Sequence, residues 1–310
     1  MGQTIACANQ KGGVGKTTTV VNLATDLALG GDRILVIDLD PQGNATSGFG
    51  VDRGTVGRSS YDILVNGSAI IDGLVTIAGT GVALLPSAGA LAGAEIELAS
   101  MNGRERRLAS ALEPIASDYD LVLIDCAPSL GLLTVNALTA ADSVLIPLQC
   151  EYYALEGLGQ LIGTIHLVRD HLNPRLAIQG VLLTMYDART NLSAEVRAEV
   201  RRHLGPSVYE TQIPRSVRLS EAPSHGLPIA LYEPDSKGAQ AYAAFSREFR
   251  ARIGMDTPAL SSETAPVTAP SAMTPSARVT PGASAIDGVG STPATREPIP
   301  VMAPKPAVVH

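Results

Sequence analysis

The segment Gln10-Lys11-Gly12-Gly13-Val14-Gly15-Lys16-Thr17-Thr18 is the most informative part of this 310-residue sequence. It follows a short apolar run, residues 3–8, that is typical of a strand, and it opens a predicted helix over residues 17–29. Glycines permit a tight turn and let backbone N–H groups face phosphate oxygens, and the helix N-terminus adds partial positive charge. Placed between a strand and a helix, the segment indicates a phosphate-binding loop rather than a turn that only reverses the chain.

The chemistry of such a loop assigns expected roles to individual side chains. Lys16 is expected to reach the β- and γ-phosphates of a nucleoside triphosphate, and the Thr17 hydroxyl to bind Mg²⁺. The remaining contacts to the nucleotide are expected from the loop and the first helical turn: Lys11, Gly12, Gly13, Val14, Gly15 and Thr18.

Alternating short apolar runs and helical patterns surround this loop. The runs 33–38, 120–125, 143–147 and 178–183 are apolar nearly throughout, as in strands that are buried on both faces. The helix candidates are 17–29, 103–115, 130–140, 155–171, 193–204 and 239–253. This order predicts an α/β fold: a doubly wound, mostly parallel sheet with helices on both faces and ligands at the carboxyl ends of the strands.

Composition divides the chain near residue 255. Residues 255–310 hold ten of the 21 prolines among Ala, Ser, Thr and Val, without periodicity, which predicts a disordered tail after a domain of residues 1–254. The net charge of −7 argues against a surface that binds nucleic acid everywhere, so any such contact must be a local patch. Three widely spaced cysteines, and a start without a secretory signal, favour a reducing cytoplasm.

Carboxylates stand at the predicted carboxyl ends of two strands. Asp38 and Asp40 belong to the string Asp38-Leu39-Asp40-Pro41-Gln42-Gly43-Asn44-Ala45-Thr46, and Asp125 ends an apolar strand as a Walker B aspartate does. Asp125 is expected to hold Mg²⁺ through a water molecule, and Asp38 is expected to hold the hydration shell of the ion. Asp40 is expected to orient the attacking water. By itself, the first string fits an Asp-Pro turn with a helix cap equally well.

One departure from the standard phosphate loop is informative. The position that normally carries its first glycine holds Gln10, and an additional lysine, Lys11, follows. The motif KGGVGKTT therefore resembles the deviant Walker A loop of the ParA/MinD class of P-loop ATPases, and DLDPQGNAT looks like switch I of its ParA/Soj branch. The resemblance implies an ATP-bound sandwich dimer in which Lys11 contacts the phosphates held by the partner, and Asp40 is needed for hydrolysis together with Lys11 and Lys16.

Two later segments, residues 184–192 and 213–226, resemble those of chromosomal ParA (Soj) proteins, and the resemblance spans roughly residues 2–253. It implies that Arg189 and Arg218 bind double-stranded DNA without sequence preference in the ATP dimer, and that Pro214 and Arg215 lie near the adenine. It also implies a ParB-type centromere-binding partner that stimulates hydrolysis, and a cytoplasmic, nucleoid-associated protein. Each arginine, taken singly, fits an ordinary solvated surface better than a DNA contact.

Two other functions of proteins with this nucleotide-binding domain remain open. A membrane- or polarity-positioning ATPase of the MinD type would need a terminal amphipathic basic helix for membrane binding, whereas the C-terminus here is interrupted by prolines. A metabolic enzyme would couple ATP to the conversion of a small molecule. The sequence favours DNA segregation without a membrane contact.

Overall fold

The structure is a computed structural model, and it describes residues 2–151 and 154–255. Within them, eight strands form one sheet in the order β3-β4-β2-β5-β1-β6-β7-β8. Every neighbouring pair is parallel except β3 and β4, which are antiparallel. The strands are β1 (Gln3–Cys7), β2 (Ile34–Leu39), β3 (Val75–Thr76), β4 (Ala83–Leu85), β5 (Leu121–Cys126), β6 (Ser143–Gln149), β7 (Ala177–Tyr186) and β8 (Val208–Pro214).

Helices connect these strands, and short 3₁₀ turns extend several of the connections. The α-helices of the described residues are α1 (Lys16–Leu29), α2 (Asn44–Gly48), α3 (Ser60–Leu64), α4 (Ala94–Leu98), α5 (Arg107–Leu112), α6 (Leu132–Ala140), α7 (Ala154–His171), α8 (Asn191–Leu204), α9 (Val217–Glu221), α10 (Ile229–Tyr232) and α11 (Lys237–Ile253). The 3₁₀ turns are Ile70–Gly73, Gly89–Gly93, Arg104–Arg106, Ala116–Asp118, Gly205–Ser207 and Ala222–His225.

Two hydrophobic clusters cover the two faces of the sheet. Along β2, Ile34 and Val36 belong to the cluster that includes α1 and α11, whereas Leu35 and Ile37 belong to the cluster that includes α3 to α8. Successive side chains of a strand point to opposite faces, so a strand of continuous apolar residues needs helices on both sides. The predicted α/β class, with a doubly wound and mostly parallel sheet, is confirmed.

The structure also corrects several sequence-based boundaries. The predicted helix 103–115 is a 3₁₀ turn followed by α5, which ends at Leu112, because Pro114 has no backbone N–H to continue the helical hydrogen bonds. The sequence reading did not anticipate the short β3 and β4 or the amphipathic β8. The predicted tail, 255–310, lies outside the described residues except for Met255.

Candidate nucleotide-binding site

The phosphate-loop sequence forms a connection between β1 and α1 at the carboxyl edge of the sheet. Gly13 and Gly15 have φ of +74° and +89°, conformations that glycine adopts without the steric cost of a Cβ. The side-chain amide of the buried Asn9 donates to the Pro147 carbonyl at 2.7 Å, and its oxygen accepts from the Lys11 backbone N–H at 3.0 Å. These bonds fix the base of the loop to β6.

Side chains of the neighbouring strands complete the support of the loop. The Thr184 hydroxyl, near the end of β7, donates to the Val14 carbonyl at 2.8 Å. The predicted strand ended one residue earlier, at residue 183, so the sequence reading missed Thr184. The Lys16 ammonium is nearly buried and donates to the Lys11 carbonyl at 3.2 Å, which places it inside the loop where the phosphates are expected.

The predicted magnesium-binding side chains come together beside the loop. The Thr17 hydroxyl donates to Asp125 Oδ2 at 2.7 Å, while Asp125 Oδ1 is fully buried and accepts no hydrogen bond from the described residues. An unpartnered buried carboxylate oxygen next to a hydroxyl fits a small divalent cation. Mg²⁺ usually takes one or two protein oxygens and completes its shell with phosphates and water, and Thr17 and Asp125 offer such oxygens side by side.

Asp38 lies level with Asp125, because the two residues pair in register across β2 and β5. Burial raises the pKa of the Asp38 carboxyl to about 6. Burial, and secondly the charge of Asp38, raise the pKa of Asp125 well above its usual range. Lys16 opposes the shift at Asp125. A nearby cation strongly stabilises the ionised form of two carboxyl groups whose pKa values are raised in this way.

Switch I, residues 38–46, is organised by hydrogen bonds to Asp38. Asp38 Oδ1 accepts from the Asp40 N–H at 3.1 Å, and Oδ2 accepts from the Thr46 N–H and hydroxyl at 2.8 and 2.6 Å. Ser87, just after β4, joins the network by donating from its hydroxyl to the Asp40 carbonyl at 2.8 Å. Among the described residues, the hydrogen bonds that the Asp38 carboxylate accepts all come from switch I. Its contact with a magnesium hydration shell stays a prediction.

A cavity of about 650 Å³ extends from the phosphate loop across switch I. Lys16, Thr17 and Asp40 line it together, so the structure brings the proposed phosphate ligand, magnesium ligand and water-positioning group to one space. Gly12, Gly13, Gly15 and Thr18 also line this cavity, whereas Val14 is buried behind it.

The predicted adenine region lies in an adjoining cavity of about 230 Å³. Pro214 and Arg215 line it with Gly15 and Thr18. Met185, which the sequence reading missed, lines both cavities and is the non-glycine residue with positive φ, +49°, among the described residues. Non-glycine residues in this region are uncommon, and they concentrate at functional sites.

Lys11 and the two predicted DNA-binding arginines lie on the surface, in ion pairs. Lys11 pairs with Glu151, and 43% of its side chain is exposed. Arg189 pairs with Asp187 and lowers the pKa of that carboxyl well below its usual range, while Arg218 pairs with Glu221. The arginines follow the carboxyl ends of β7 and β8, where Tyr186 pairs with Pro214, so both belong to the edge of the sheet that carries the phosphate loop.

This strand–loop–helix arrangement, with a buried lysine and a threonine–aspartate pair at the edge of a parallel sheet, defines a P-loop nucleotide-binding protein. The family model described as "AAA domain" matches residues 2–178. The sporulation initiation inhibitor protein Soj of Bacillus subtilis is 57% identical over 251 residues, 81% of this chain and 99% of that protein. The chromosome partitioning protein ParA of Myxococcus xanthus is 52% identical over 258 residues, 83% and 90% of the two chains. The chain belongs to the ParA/Soj family of chromosome-partitioning ATPases.

A solved structure supports the same fold and ligand class. Cobyrinic acid a,c-diamide synthase from Mycobacterium smegmatis, with bound ADP and magnesium, is 40% identical with a TM-score of 0.72, covering 83% of this chain and 98% of that one. The predicted ligands, ATP and Mg²⁺, agree with this neighbour. No helix among the described residues has the length and apolar character needed to cross a membrane.

Proposed function

We propose that this chain is a DNA-segregation ATPase whose ATP-bound sandwich dimer holds double-stranded DNA without sequence preference. The observation that carries the proposal is the shared edge of the sheet: the nucleotide cavity and the exposed Arg189 and Arg218 all follow carboxyl ends of parallel strands. The proposed cellular place is the cytoplasm, on the nucleoid, and the partner that stimulates hydrolysis is a ParB-type centromere-binding protein.

In the proposed cycle, Lys16 and the loop N–H groups bind the phosphates of ATP, and Thr17 and Asp125 hold the magnesium ion. The ion supplies charge neutralisation for the phosphates. Lys11, which is exposed, leaves Glu151 and contacts the phosphates bound by the second subunit, as an arginine finger does in trans. Asp40 then orients the attacking water, and hydrolysis releases the partner subunit and the DNA.

The proposed DNA contact relies on dimerisation. The chain carries a net charge of −7, and each of the two arginines has an acidic neighbour, so a single subunit offers a weak patch for phosphates. A dimer presents both arginines twice, which doubles the favourable charge. The affinity for DNA is therefore expected to depend on ATP and to decrease with salt.

The test compares retention of the protein on DNA, retention on vesicles and phosphate release with a small molecule, in three arms. The full chain is incubated with ATP, a slowly hydrolysed ATP analogue or ADP, and then captured on nonspecific duplex DNA or on anionic vesicles. We expect retention on DNA with the analogue, little retention with ADP, and none on vesicles. In the third arm, phosphate release is measured with cobyrinic acid, and no stimulation is expected.

Lys16→Ala is the nucleotide-binding control in this experiment, because it removes the buried ammonium of the loop. Lys237→Ala, at the exposed start of α11, removes a lysine in the same way but outside the phosphate loop, so it serves as the matched control for ATP binding. We expect Lys16→Ala to lose ATP binding and DNA retention, and Lys237→Ala to bind ATP normally. Retention on vesicles instead of DNA would establish the MinD-type alternative, and stimulation by cobyrinic acid the metabolic one.

A further inference from the structure

The segment Val217–Tyr232, which contains α9, a 3₁₀ turn and α10, carries Arg218, and its Leu219, Pro223 and Pro228 are among the residues that line the nucleotide cavity. Two further contacts attach it to elements beside the nucleotide. One joins it to Gly50, which follows switch I and α2, and the other joins it to the helix that follows the phosphate loop. Nothing in the family motifs assigns a role to either contact.

The first contact is between two glycines. Gly50, just after α2, has φ of +76°, and Gly226 has φ of +63°. A Cβ added to Gly50 would lie 2.8 Å from the Gly226 carbonyl oxygen, and one added to Gly226 would lie 2.7 Å from the Gly50 Cα. Such distances are shorter than real Cβ contacts, so the two backbones touch and neither position tolerates a side chain without movement.

The second contact runs through a buried asparagine of α1. The Asn22 side-chain amide donates to the Thr18 carbonyl at 2.7 Å, one turn earlier in the helix that begins at the phosphate loop. Its oxygen accepts from the Ile229 N–H at 2.7 Å, at the start of α10. Asn22 therefore bonds the nucleotide-binding helix directly to the Val217–Tyr232 segment.

Apolar packing connects the elements that make these two contacts. A single hydrophobic cluster contains side chains from α1, from the α2 region and from the segment: Val21, Ala45, Phe49, Leu219, Ala222 and Ile229. Close-packed interiors change between discrete arrangements rather than deform smoothly. A displacement of switch I would therefore be transmitted through α2 to α9, where Arg218 directly precedes Leu219 and stands four residues before Ala222.

We propose that the Gly50–Gly226 contact and the Asn22 bridge couple the nucleotide state to the position of Arg218, making these three residues positioning residues for the DNA contact. This inference rests on the proposed function. Coupling between two sites is a reciprocal free energy, commonly a factor of about 5 to 150 in affinity. DNA should therefore tighten the binding of an ATP analogue by the same factor by which the analogue tightens DNA.

The test measures that factor in variants that widen the glycine contact. The affinity for a fluorescent ATP analogue is determined with and without nonspecific duplex DNA in Gly226→Ala and Gly50→Ala. The matched control is Gly81→Ala, because Gly81 has φ of +77° and an added Cβ would meet nothing within 4 Å. We expect the control to keep the wild-type factor, whereas the other two variants bind the analogue but lose most of the factor.

Hydrogen exchange on the wild-type chain provides a second measurement that needs no substitution. Binding of the ATP analogue is expected to change the exchange of amides in 217–232, including that of Ile229, which donates to Asn22. Unchanged exchange there, or an undiminished factor in folded Gly226→Ala, would overturn the coupling while leaving DNA binding intact. Absence of any nucleotide dependence in the wild-type chain would instead refute the proposed function.

Discussion

The contacts of Asp40 suit a side chain that orients the attacking water and does not bind the nucleotide. Its side chain is nearly buried at the wall of the cavity, with Oδ1 accepting from the Gln42 N–H at 2.9 Å. Its backbone is fixed on both sides, by Asp38 and by Ser87. Neither set of bonds involves Lys16 or Thr17, so the phosphate ligands are independent of the Asp40 side chain.

We therefore expect Asp40→Ala to bind ATP with wild-type affinity and to lose at least about 100-fold in turnover, the typical scale for a positioned acid–base group. The trapped dimer should accumulate on DNA. Nucleotide affinity, phosphate release and DNA retention are measured on the same preparation. Ser87→Ala, which removes one hydrogen bond to the Asp40 backbone, is expected to give a smaller loss. Wild-type phosphate release by Asp40→Ala would contradict the assigned role.

At the scale of elements, helix α1 carries a charged group that the nucleotide site does not use. Asp26 faces the junction of α1 with α11, its Oδ2 is buried without a hydrogen-bond partner among the described residues, and burial raises the pKa of its carboxyl to about 7. Arg247 opposes the shift only in part. Because the folded-state pKa exceeds the unfolded one, this group's contribution to stability is complete below about pH 4 and is lost as the pH rises through 7.

Asp26→Asn should consequently stabilise the protein at pH 8, by on the order of 2 kcal/mol, and leave it nearly unchanged at pH 4. Denaturant unfolding at the two pH values measures the difference. Asp32→Asn is the contrasting variant, because Asp32 forms a largely buried ion pair with Arg250, and we expect it to destabilise at pH 8. A loss of stability at pH 8 in Asp26→Asn would show that the carboxylate has a favourable partner.

The elements that could be predicted from sequence are those whose pattern is set by burial on both faces. The runs that became β2, β5 and β6 are apolar nearly throughout, as strands covered by helices on each side must be, and the glycine-rich loop has a backbone requirement that few other sequences meet. β8 escaped prediction because three consecutive polar residues, Glu210, Thr211 and Gln212, interrupt its apolar run, and the short β3 and β4 are stabilised by their partners rather than by their own composition.

The same distinction separates the predictable from the unpredictable residues of the site. Lys16, Thr17 and Asp125 follow from local motifs, and the structure brings them together. No site role was predicted for Thr184, Met185 or Ser87, because they reach the site through strand order and register, which a single sequence does not specify. The Gly50–Gly226 contact joins residues 176 positions apart (226 − 50) and depends on tertiary packing alone.

At the scale of the whole chain, the described residues already contain all of the proposed nucleotide ligands. Deleting residues 256–310 is therefore expected to leave ATP affinity and basal phosphate release within about two-fold of the full chain, because Lys16, Thr17, Asp40 and Asp125 all precede that stretch. Turnover is compared in the two proteins at equal concentration. A collapse of basal turnover would show that the tail does more than extend from the domain.

The salt dependence of DNA affinity tests how many charged contacts the proposed dimer makes with DNA. Binding to phosphates releases counterions, and the logarithm of the affinity falls with the logarithm of the salt concentration by about 0.9 for each contact. Arg189 and Arg218 in two subunits make four contacts. We expect Arg189→Ala with Arg218→Ala to lower that slope by roughly three to four while ATP-dependent dimerisation persists.

The matched control for the slope is Arg58→Ala. Arg58 is likewise an exposed arginine in an ion pair, with Asp72, but it belongs to the connection between α2 and α3 rather than to the turns that follow β7 and β8. Its removal should leave the slope unchanged, since net charge alone acts over the whole surface and is screened within about 10 Å at 0.1 M salt. An equal reduction in both proteins would mean that overall charge, and not the edge of the sheet that carries the nucleotide site, governs the affinity for DNA.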